Sequence, residues 1–337
     1  MPGVIPGFFI LKKYPKGIHI LGSWIIVYNK EMKINYLEVK LMIIGVDLGN
    51  YAVKTSEEVH FLSKFIESNG FYVNEIIYDG KAIVVGEGEF QTDYKKSMKE
   101  NTLPLLYSAL ALSSKEEQCF QVVLGLPIQQ YKNNKDELIK LIEDNRAKSI
   151  EMDGKKRDIF ITDVTIAPEG ASAYYNLPKE LKKEIGSKQL VIVDIGGRTT
   201  DVCLFKDKKI KQYKTIPGGM LNIYNDIVTT INEVYSQNFD LEDGEEVLKE
   251  GLFLDGEDKD VSFIKVILKR QFDSIFKELQ LNFNVDKGYL LLTGGGASTF
   301  KKAFKKRLNN VIVSEDNVFD NVKGFKRVGE QLWLNNK

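Results

Sequence analysis

Apolar runs that end in an aspartate and a glycine recur along the chain. The run LMIIGVDLGN reaches this pair at Asp47 and Gly49, and the run VIVDIGGRTTDV reaches it at Asp194 and Gly196. Apolar and β-branched runs bounded by glycine have the length and content of buried strands. The TTD and VCLF that follow the second run predict a hairpin into another strand. For this segment alone, an ordinary tight hairpin remains the alternative to a turn that binds a ligand. Because the two runs lie about one domain length apart, they predict two related halves.

The rest of the pattern predicts alternating strands and helices. Strands are expected at 71–78, at 82–85, in CFQVVLGLP, as a short pair around 150–161, and in YLLLT before three glycines. Helices are expected at 102–112, 136–145, 221–235 and 261–279, where apolar residues recur at helical spacing. The tail NVFDNVKGFKRVGEQLW predicts a turn and a helix that could return to the first half. This alternation is typical of an α/β protein.

We expect an N-terminal extension at 1–41, a first domain at 42–190 and a second at 191–314, with 315–337 returning to the first. The extension carries apolar pieces interrupted by lysines, proline and glycine. Its longest run is about half of the roughly 20 residues that a membrane span needs, and no secretory cleavage pattern follows. It is either an ordered or disordered extension or the product of an upstream start codon, with Met42 as the natural beginning.

Composition limits the classes of function. The 337 residues are 43% hydrophobic, which suffices for full cores in two domains. The 47 basic residues balance 47 acidic ones, so the chain has no overall positive field for nucleic acid, and we expect no direct DNA binding. Cys119 and Cys203 form no metal motif and indicate buried thiols in a reducing cytoplasm. His19 and His60 lack a Ser or Cys signature, so histidine-based nucleophilic catalysis is poorly supported.

The strand-to-glycine junctions are candidates for phosphate binding. Glycine amides can surround phosphate oxygens, and a strand-end aspartate can hold magnesium through water. Neither GxxxxGK[ST] nor GxGxxG occurs at a strand-helix junction, so the common NTPase and dinucleotide loops are absent. Glu169, in TIAPEGASAYYNL, is a further candidate acid, although an acid after a proline is also a good helix start.

Taken together and in this order, the motifs resemble the actin, Hsp70 and sugar-kinase superfamily, and within it the bacterial actin-like ParM/StbA family of plasmid segregation proteins. The likeness runs from Met42 to about Trp333 through GVDLGNYAVK, LGLP, APEGASAYY, VIVDIGGRTTDV, PGGMLNIYNDI, TGGGA and DNVKGFKRVGE. It implies an actin-like fold of two RNase H-like α/β domains. ATP or GTP would bind with Mg²⁺ in the cleft between them.

The resemblance also implies roles for individual residues. The first phosphate loop would contain Asp47, Gly49 and Asn50, with Lys54 either contacting a phosphate or lying in solvent. The second loop would contain Asp194, Gly196, Gly197, Thr199 and Thr200. The turn beneath the adenosine would be Gly294, Gly295 and Gly296, and the helix in LEDGEEVLKEG would offer Glu246 or Lys249 to ribose and adenine.

For catalysis, the resemblance implies that Glu169 orients the attacking water and that Asp47 and Asp194 hold the metal. Both aspartates would be unpaired strand-end charges without a nucleotide, and the alternative is that they cap hairpins. Two departures from the family are Asn50, where actins usually have serine, and Arg198, which would contact a phosphate or extend into solvent.

The function implied by the resemblance is that of a cytoplasmic ATPase. It would polymerise with bound ATP and segregate plasmid DNA through a small DNA-binding adaptor on a centromere-like site, without direct membrane contact. One alternative is a cell-shape or division actin, which is normally membrane-associated. Another is a small-molecule kinase, which needs a carboxylate in a substrate pocket, and no additional acid motif for it is visible. A chaperone-like ATPase would need a further substrate-binding domain.

Overall fold

A computed structural model describes residues 18–21, 24–28, 34–38, 41–70, 72, 74–91, 93, 95–116 and 118–334. Most of the predicted extension, residues 335–337 of the returning tail, and Phe71 and Val73 of the strand predicted at 71–78 lie outside these described residues.

The strands are defined in chain order. They are β1 Ile18–Leu21, β2 Trp24–Tyr28, β3 Ile34–Glu38, β4 Leu41–Leu48, β5 Ala52–Thr55, β6 His60–Leu62, β7 Phe65–Glu67, β8 Ile76–Tyr78, β9 Lys81–Val85, β10 Cys119–Leu126, β11 Ala147–Met152, β12 Lys155–Pro168, β13 Gln189–Ile195, β14 Thr199–Lys206, β15 Lys209–Pro217, β16 Leu252–Leu254, β17 Glu257–Lys259, β18 Gly288–Thr293 and β19 Val311–Val313.

The helices are defined in the same way. They are α1 Thr102–Ser113, α2 Ile128–Asp144, α3 Ala173–Asn176, α4 Lys179–Ile185, α5 Met220–Tyr235, α6 Asp243–Glu250, α7 Phe263–Asn282, α8 Ala297–Arg307 and α9 Asp320–Trp333, with short 3-10 helices at Lys96–Met98 and Val285–Lys287.

Two large sheets repeat one strand order. The first runs β6-β5-β4-β10-β12-β11-β8-β9-β7 and the second β15-β14-β13-β18-β19. In each, three antiparallel strands (β4 to β6, and β13 to β15) are extended on the other side by two parallel strands (β10 and β12, and β18 and β19). Each Asp-x-Gly run forms the first strand of its sheet and enters a hairpin, so the predicted hairpin and the two related halves are confirmed.

Within the predicted extension, β1, β2 and β3 form a separate antiparallel sheet. A small hairpin of β16 and β17 follows α6. No helix in the described part of the chain combines the length and the apolar content that crossing a membrane requires.

One predicted helix is longer than expected. The helix predicted at 136–145 corresponds to only the second half of α2, which begins directly after Pro127 and ends at Asp144. Leu138 and Ile142 are buried and gave the helical spacing, whereas the polar QQYKNNK that precedes them carries little periodicity. The strand predicted at 71–78 is limited to β8 within the described residues.

The last helix, α9, covers one face of the first sheet. Its Val322 and Phe325 are fully buried against Val123 of β10 and Ala167 of β12. The approach is close because β4 carries Gly45, where a Cβ would overlap the Val322 carbonyl oxygen and lie 2.8 Å from the Phe325 Cβ. Residues 320–333 therefore return to the first half of the chain.

Candidate functional site

A cavity of about 780 Å³ lies where β4, β12, β13 and β18 end. This volume is within the range of small-molecule sites, roughly 300–1,000 Å³. Of the predicted site residues, its lining includes Asp47, Gly49, Asn50, Lys54, Glu169, Asp194, Gly196, Gly197, Thr199, Lys249, Gly294 and Gly295. Residues far apart in sequence are thus brought to one cleft between the two large sheets.

The turn between β4 and β5 forms one wall. Asp47 stands next to last in β4, and Lys54 of β5 pairs with it, the Nζ lying 3.9 Å from the Asp47 Oδ2. The Asn50 Oδ1 accepts a hydrogen bond of 2.7 Å from the Lys99 Nζ. Lys54 lines the cavity with a largely buried side chain, which makes it a cation available to an anionic ligand.

The turn between β13 and β14 forms the opposite wall. The Gly196 N–H donates to the Thr199 carbonyl at 2.9 Å and closes the turn. A Cβ at Gly197 would lie 2.8 Å from the Tyr51 Cβ, so the two turns meet only because this residue is glycine. Arg198 lines the cavity and donates from Nη2 to the Gln91 carbonyl of the first half at 3.1 Å, and its contact with a phosphate stays a prediction.

The third junction follows β18. Gly294 has φ +80°, a left-handed conformation that favours glycine, and a Cβ there would overlap the Asp194 Oδ1. No atom lies within 4 Å of where a Gly295 Cβ would be, so this residue faces open space. Gly296 is absent from the lining, since it packs against the Ile195 side chain instead.

Two other predicted residues do not line the cavity. Thr200 is buried and donates to the Gly218 carbonyl at 3.2 Å. Glu246 is exposed on α6, whereas its neighbour Glu245 lines the cavity and accepts a hydrogen bond from the Tyr51 hydroxyl. Successive side chains point about 100° apart around a helix. A small error in predicting which side of α6 faces the cavity therefore exchanges the two glutamates.

Lys96 is a site residue that the sequence analysis missed. Its Nζ lies 3.2 Å from the Asp47 Oδ1 and 2.7 Å from the Glu169 Oε1, and the side chain is 5% exposed. The expectation of an unpaired Asp47 is therefore wrong. Nothing in the lysine-rich stretch YKKSMKE distinguishes this lysine from the solvent-exposed Lys95 beside it.

Asn321, at the beginning of α9, was missed as well. Its Nδ2 donates to the Asp194 Oδ2 at 2.6 Å, and its Oδ1 accepts from the Gly170 N–H at 3.0 Å. Asp194 thus also has a protein partner, contrary to expectation. The only sequence signal was the asparagine at the start of DNVKGFKRVGE, within the resemblance but without an assigned role.

Three carboxyl groups of the cleft, those of Glu169, Asp194 and Asp201, have pKa values shifted towards their neutral forms. Burial raises the pKa of Glu169 to about 7, with Lys96 opposing the shift and Asp47 adding to it. Burial likewise raises the pKa of Asp194 to about 6, against the Asn321 hydrogen bond. Burial also raises the pKa of Asp201 well above its usual range. A carboxylate that titrates near neutrality is suited to accept a proton.

Glu169 does not begin a helix. It lies in the turn after β12, and α3 begins only at Ala173. Its backbone N–H donates to the Leu126 carbonyl at 2.8 Å, and its side chain turns to Lys96. The helix-start interpretation of this acid is therefore replaced by a buried ion pair at the cavity wall.

The donor set fits magnesium bound together with a nucleotide. Within the described residues there is no cluster of three or more His, Cys, Asp or Glu that could hold a metal by itself. Magnesium in nucleotide sites uses one or two carboxylates, with phosphates and waters completing the shell. Asp47 and Asp194 line the same cavity and supply that number.

Comparison with known families assigns both halves of the chain. Residues 45–171 match the model of the actin-like proteins N-terminal domain. Residues 192–306 match that of the archaeal actin homologue MreB-like C-terminal domain. No curated protein matches the sequence.

Solved structures show the same fold. Ta0583, an archaeal actin homologue in complex with ADP, is 19% identical over 86% of this chain and 99% of its own, with a TM-score of 0.75. A ParM filament from Clostridium botulinum, described as 15-stranded, is 20% identical over 86% of this chain and 99% of its own, with a TM-score of 0.74. A non-polymerisable quadruple mutant of pCBH ParM is 22% identical over 87% of this chain and 100% of its own, with a TM-score of 0.72.

Proposed function

Since this chain is an actin-like protein, with an actin-like N-terminal domain followed by an MreB-like C-terminal domain, we propose that it is an ATPase that polymerises. Its ATP-bound molecules would assemble into filaments, and hydrolysis would weaken the polymer. The match to an ADP complex of an archaeal homologue supports nucleotide binding, and the match to a ParM filament supports self-assembly.

The observation that carries this proposal is the cavity between the two glycine turns. The Gly49 and Gly196 turns come from different halves of the chain and line the same space of about 780 Å³. Glycine turns on both sides suit a polyphosphate, because the backbone amides of such turns can surround phosphate oxygens. In phosphoryl transfer, protein groups mainly position the reactants and stabilise charge, and this is the set of groups that the cavity offers.

Each residue would act in a defined way. Glu169 would hold the attacking water and accept its proton, since it is the buried carboxyl whose pKa lies near 7. Lys54 would contact a phosphate oxygen, and Asp47 and Asp194 would hold magnesium through water. Magnesium, when bound with the nucleotide, neutralises charge that develops on the phosphates. Glu245 and Lys249 line the cavity and would contact the nucleoside of ATP or GTP.

We further propose that the filament segregates plasmid DNA through a small adaptor bound to a centromere-like site. The balanced charge, 47 basic and 47 acidic residues, favours an adaptor over direct DNA binding. Cys119 and Cys203 are free and buried, which supports a reducing cytoplasm as the compartment. The ParM proteins among the matched structures support this choice over a division actin or a small-molecule kinase.

The test is light scattering of the purified protein at several concentrations, started by MgATP, with phosphate release followed in the same sample. We expect scattering to rise only above a threshold concentration and to decay as phosphate accumulates. Asp194→Asn should abolish both signals. Asp273→Asn, a matched change on the surface of α7, should abolish neither.

Two results would contradict the proposal. Scattering that stays flat at every concentration, with phosphate release that requires an added small hydroxyl compound, would favour a kinase. Equal behaviour of the Asp194→Asn and Asp273→Asn variants would show that the cavity is not the nucleotide site.

A further inference from the structure

Lys96 connects three neighbouring strands of the first sheet. β4, β10 and β12 are adjacent and parallel, so their carboxyl ends meet at one edge. The Lys96 Nζ donates to one group at each of these ends: the Asp47 Oδ1 at 3.2 Å, the Gly125 carbonyl at 3.0 Å and the Glu169 Oε1 at 2.7 Å. This single ammonium therefore fixes the relative positions of two carboxylates that lie at the ends of different strands.

The backbone of Lys96 is itself anchored. It begins the short 3-10 helix before α1, and its carbonyl accepts a hydrogen bond from the Thr102 hydroxyl. Asn101 connects the same segment to the link between β6 and β7 by donating from Nδ2 to the Ser63 carbonyl at 3.2 Å. Lys99, one turn later, holds Asn50 of the first loop. Two lysines of one short segment thus donate hydrogen bonds to Asn50 of the first loop and to Glu169.

The hydrogen bonds of Lys96 distinguish it from a phosphate ligand. A lysine ammonium has three N–H donors and no acceptor. Asp47, Gly125 and Glu169 accept all three, and the side chain is 5% exposed. Among the described residues the Lys54 ammonium pairs with Asp47, at 3.9 Å, and it lines the cavity, so it keeps donors for a phosphate. The two lysines therefore have different tasks.

Charge gives Lys96 a second task. Asp47 and Glu169 are buried carboxylates whose charges repel each other, and such charges need a counter-ion. Without the ammonium, the pair would have to protonate or take up a cation from solution.

We propose that Lys96 is a positioning residue that serves as the built-in counter-ion of the magnesium end of the cleft, orienting Glu169 while leaving phosphate contact to other groups. Its effect on hydrolysis rests on the proposed ATPase function. Its effect as a counter-ion does not, and it is measured without any nucleotide.

The first experiment compares thermal unfolding of the wild type, Lys96→Met and Lys95→Met in millimolar MgCl₂ and in KCl of equal ionic strength. Lys95 is the matched control, because it is half-exposed and pairs with Glu137 at the surface. We expect magnesium to raise the Tm of Lys96→Met by about 3 °C, since the freed carboxylates bind the cation, and to leave the other two proteins unchanged. The absence of a magnesium-dependent rise in Lys96→Met would overturn the proposal.

The second experiment separates binding from turnover. For Lys96→Met we expect kcat to fall about 100-fold while the Kd for MgATP stays within about threefold, because Glu169 is misplaced but the phosphate ligands remain. A lysine that only stabilised the fold would lower Tm and leave kcat per folded molecule unchanged, and that outcome would also overturn the proposal. A wild type that does not hydrolyse ATP would defeat the proposed function and leave the magnesium test valid.

A double variant covers the case in which Lys96→Met does not fold. Lys96→Met with Glu169→Gln removes the ammonium and one of the charges that it balances, so it should be more stable than Lys96→Met alone. It should also lose the magnesium response. A double variant no more stable than the single one would show that Lys96 does not act through Glu169.

Discussion

Glu169 has the surroundings of a proton acceptor rather than of a structural acid. It lies behind the turn after β12, with its Oε1 2.7 Å from the Lys96 Nζ, and burial raises its pKa to about 7. An amide in its place could still accept a hydrogen bond from Lys96, but it could not take a proton from water. Substitution at this position therefore separates chemistry from binding.

We predict that Glu169→Gln lowers the rate of phosphate release about 100-fold or more while nucleotide affinity changes little. Filaments should then form on addition of MgATP and persist instead of decaying. Phosphate release and light scattering in one sample provide the measurement, with the exposed Glu180→Gln as the control. Unchanged phosphate release in Glu169→Gln would remove this residue from the reaction.

The raised pKa values also predict how stability depends on pH. The folded protein holds protons on Glu169 and Asp194 up to about pH 7 and about pH 6, whereas their ordinary pKa values are 4.5 and 3.8. The unfolded chain binds fewer protons between these values, so the two groups make the free energy of unfolding fall as pH rises from about 3.8 to about 7. Above that window their contribution is constant.

The measurement is Tm against pH without nucleotide for the wild type, Glu169→Gln and Glu180→Gln. The fall in Tm between about pH 4.5 and about pH 7 should be shallower in Glu169→Gln and unchanged in Glu180→Gln. Equal slopes in all three proteins would contradict the assignment of the shifted carboxyl.

The last helix, α9, packs closely against α3 and β4. Gly324 faces α3, and a Cβ there would overlap the Ser172 carbonyl oxygen, which is backbone and cannot turn away. The first turn of the same helix carries Asn321, which bonds to Asp194 and to the Gly170 N–H. The docking of α9 is thus coupled to the geometry of the site.

We predict that Gly324→Ala lowers the free energy of unfolding by about 1–3 kcal/mol, because the added methyl group forces α9 away from α3. Urea denaturation is the measurement. Arg327→Ala, on the exposed side of α9, should change the free energy by less than about 0.5 kcal/mol. A Gly324→Ala variant as stable as the control would mean that the helix can shift without cost.

Elements with a strong apolar periodicity were predictable from the sequence, whereas the direction in which a single side chain points was not. The Asp-x-Gly strands, the hairpins and α5 follow from apolar runs and from the glycines that end them. Glu245 and Glu246 are chemically identical neighbours, so only the burial of Val247 and Gly244 on the packed side of α6 determines which one reaches the cavity. Lys96 depends on a contact between a loop and three strand ends, which no local pattern encodes.

At the scale of the molecule, the two halves are held together across the cleft by side chains. The Tyr51 hydroxyl donates to Glu245 of α6, and the Lys64 Nζ donates to Glu242 at the start of the same helix. Lys64 is 10% exposed and Glu242 30%, so their ion pair is only partly screened by solvent. These contacts hold α6 against the first half and close one side of the cavity.

We predict that Lys64→Met speeds release of a bound nucleotide about 10-fold, because opening of the two halves no longer breaks this ion pair. Stopped-flow displacement of a fluorescent nucleotide measures the rate. Lys81→Met removes an exposed ion pair within the first half and serves as the control. Equal release rates from both variants would show that α6 does not limit opening.

The return of α9 has a consequence for how the protein is made. The strands of the second sheet run from Gln189 to Val313 in one continuous stretch, whereas the first sheet needs a helix that begins only at Asp320. During synthesis, the half that is translated first therefore completes its fold last. One face of β4 and β10 stays uncovered until α9 has been translated. A stop codon before residue 320 would release a chain that has every strand of the second sheet but lacks the helix that covers the first.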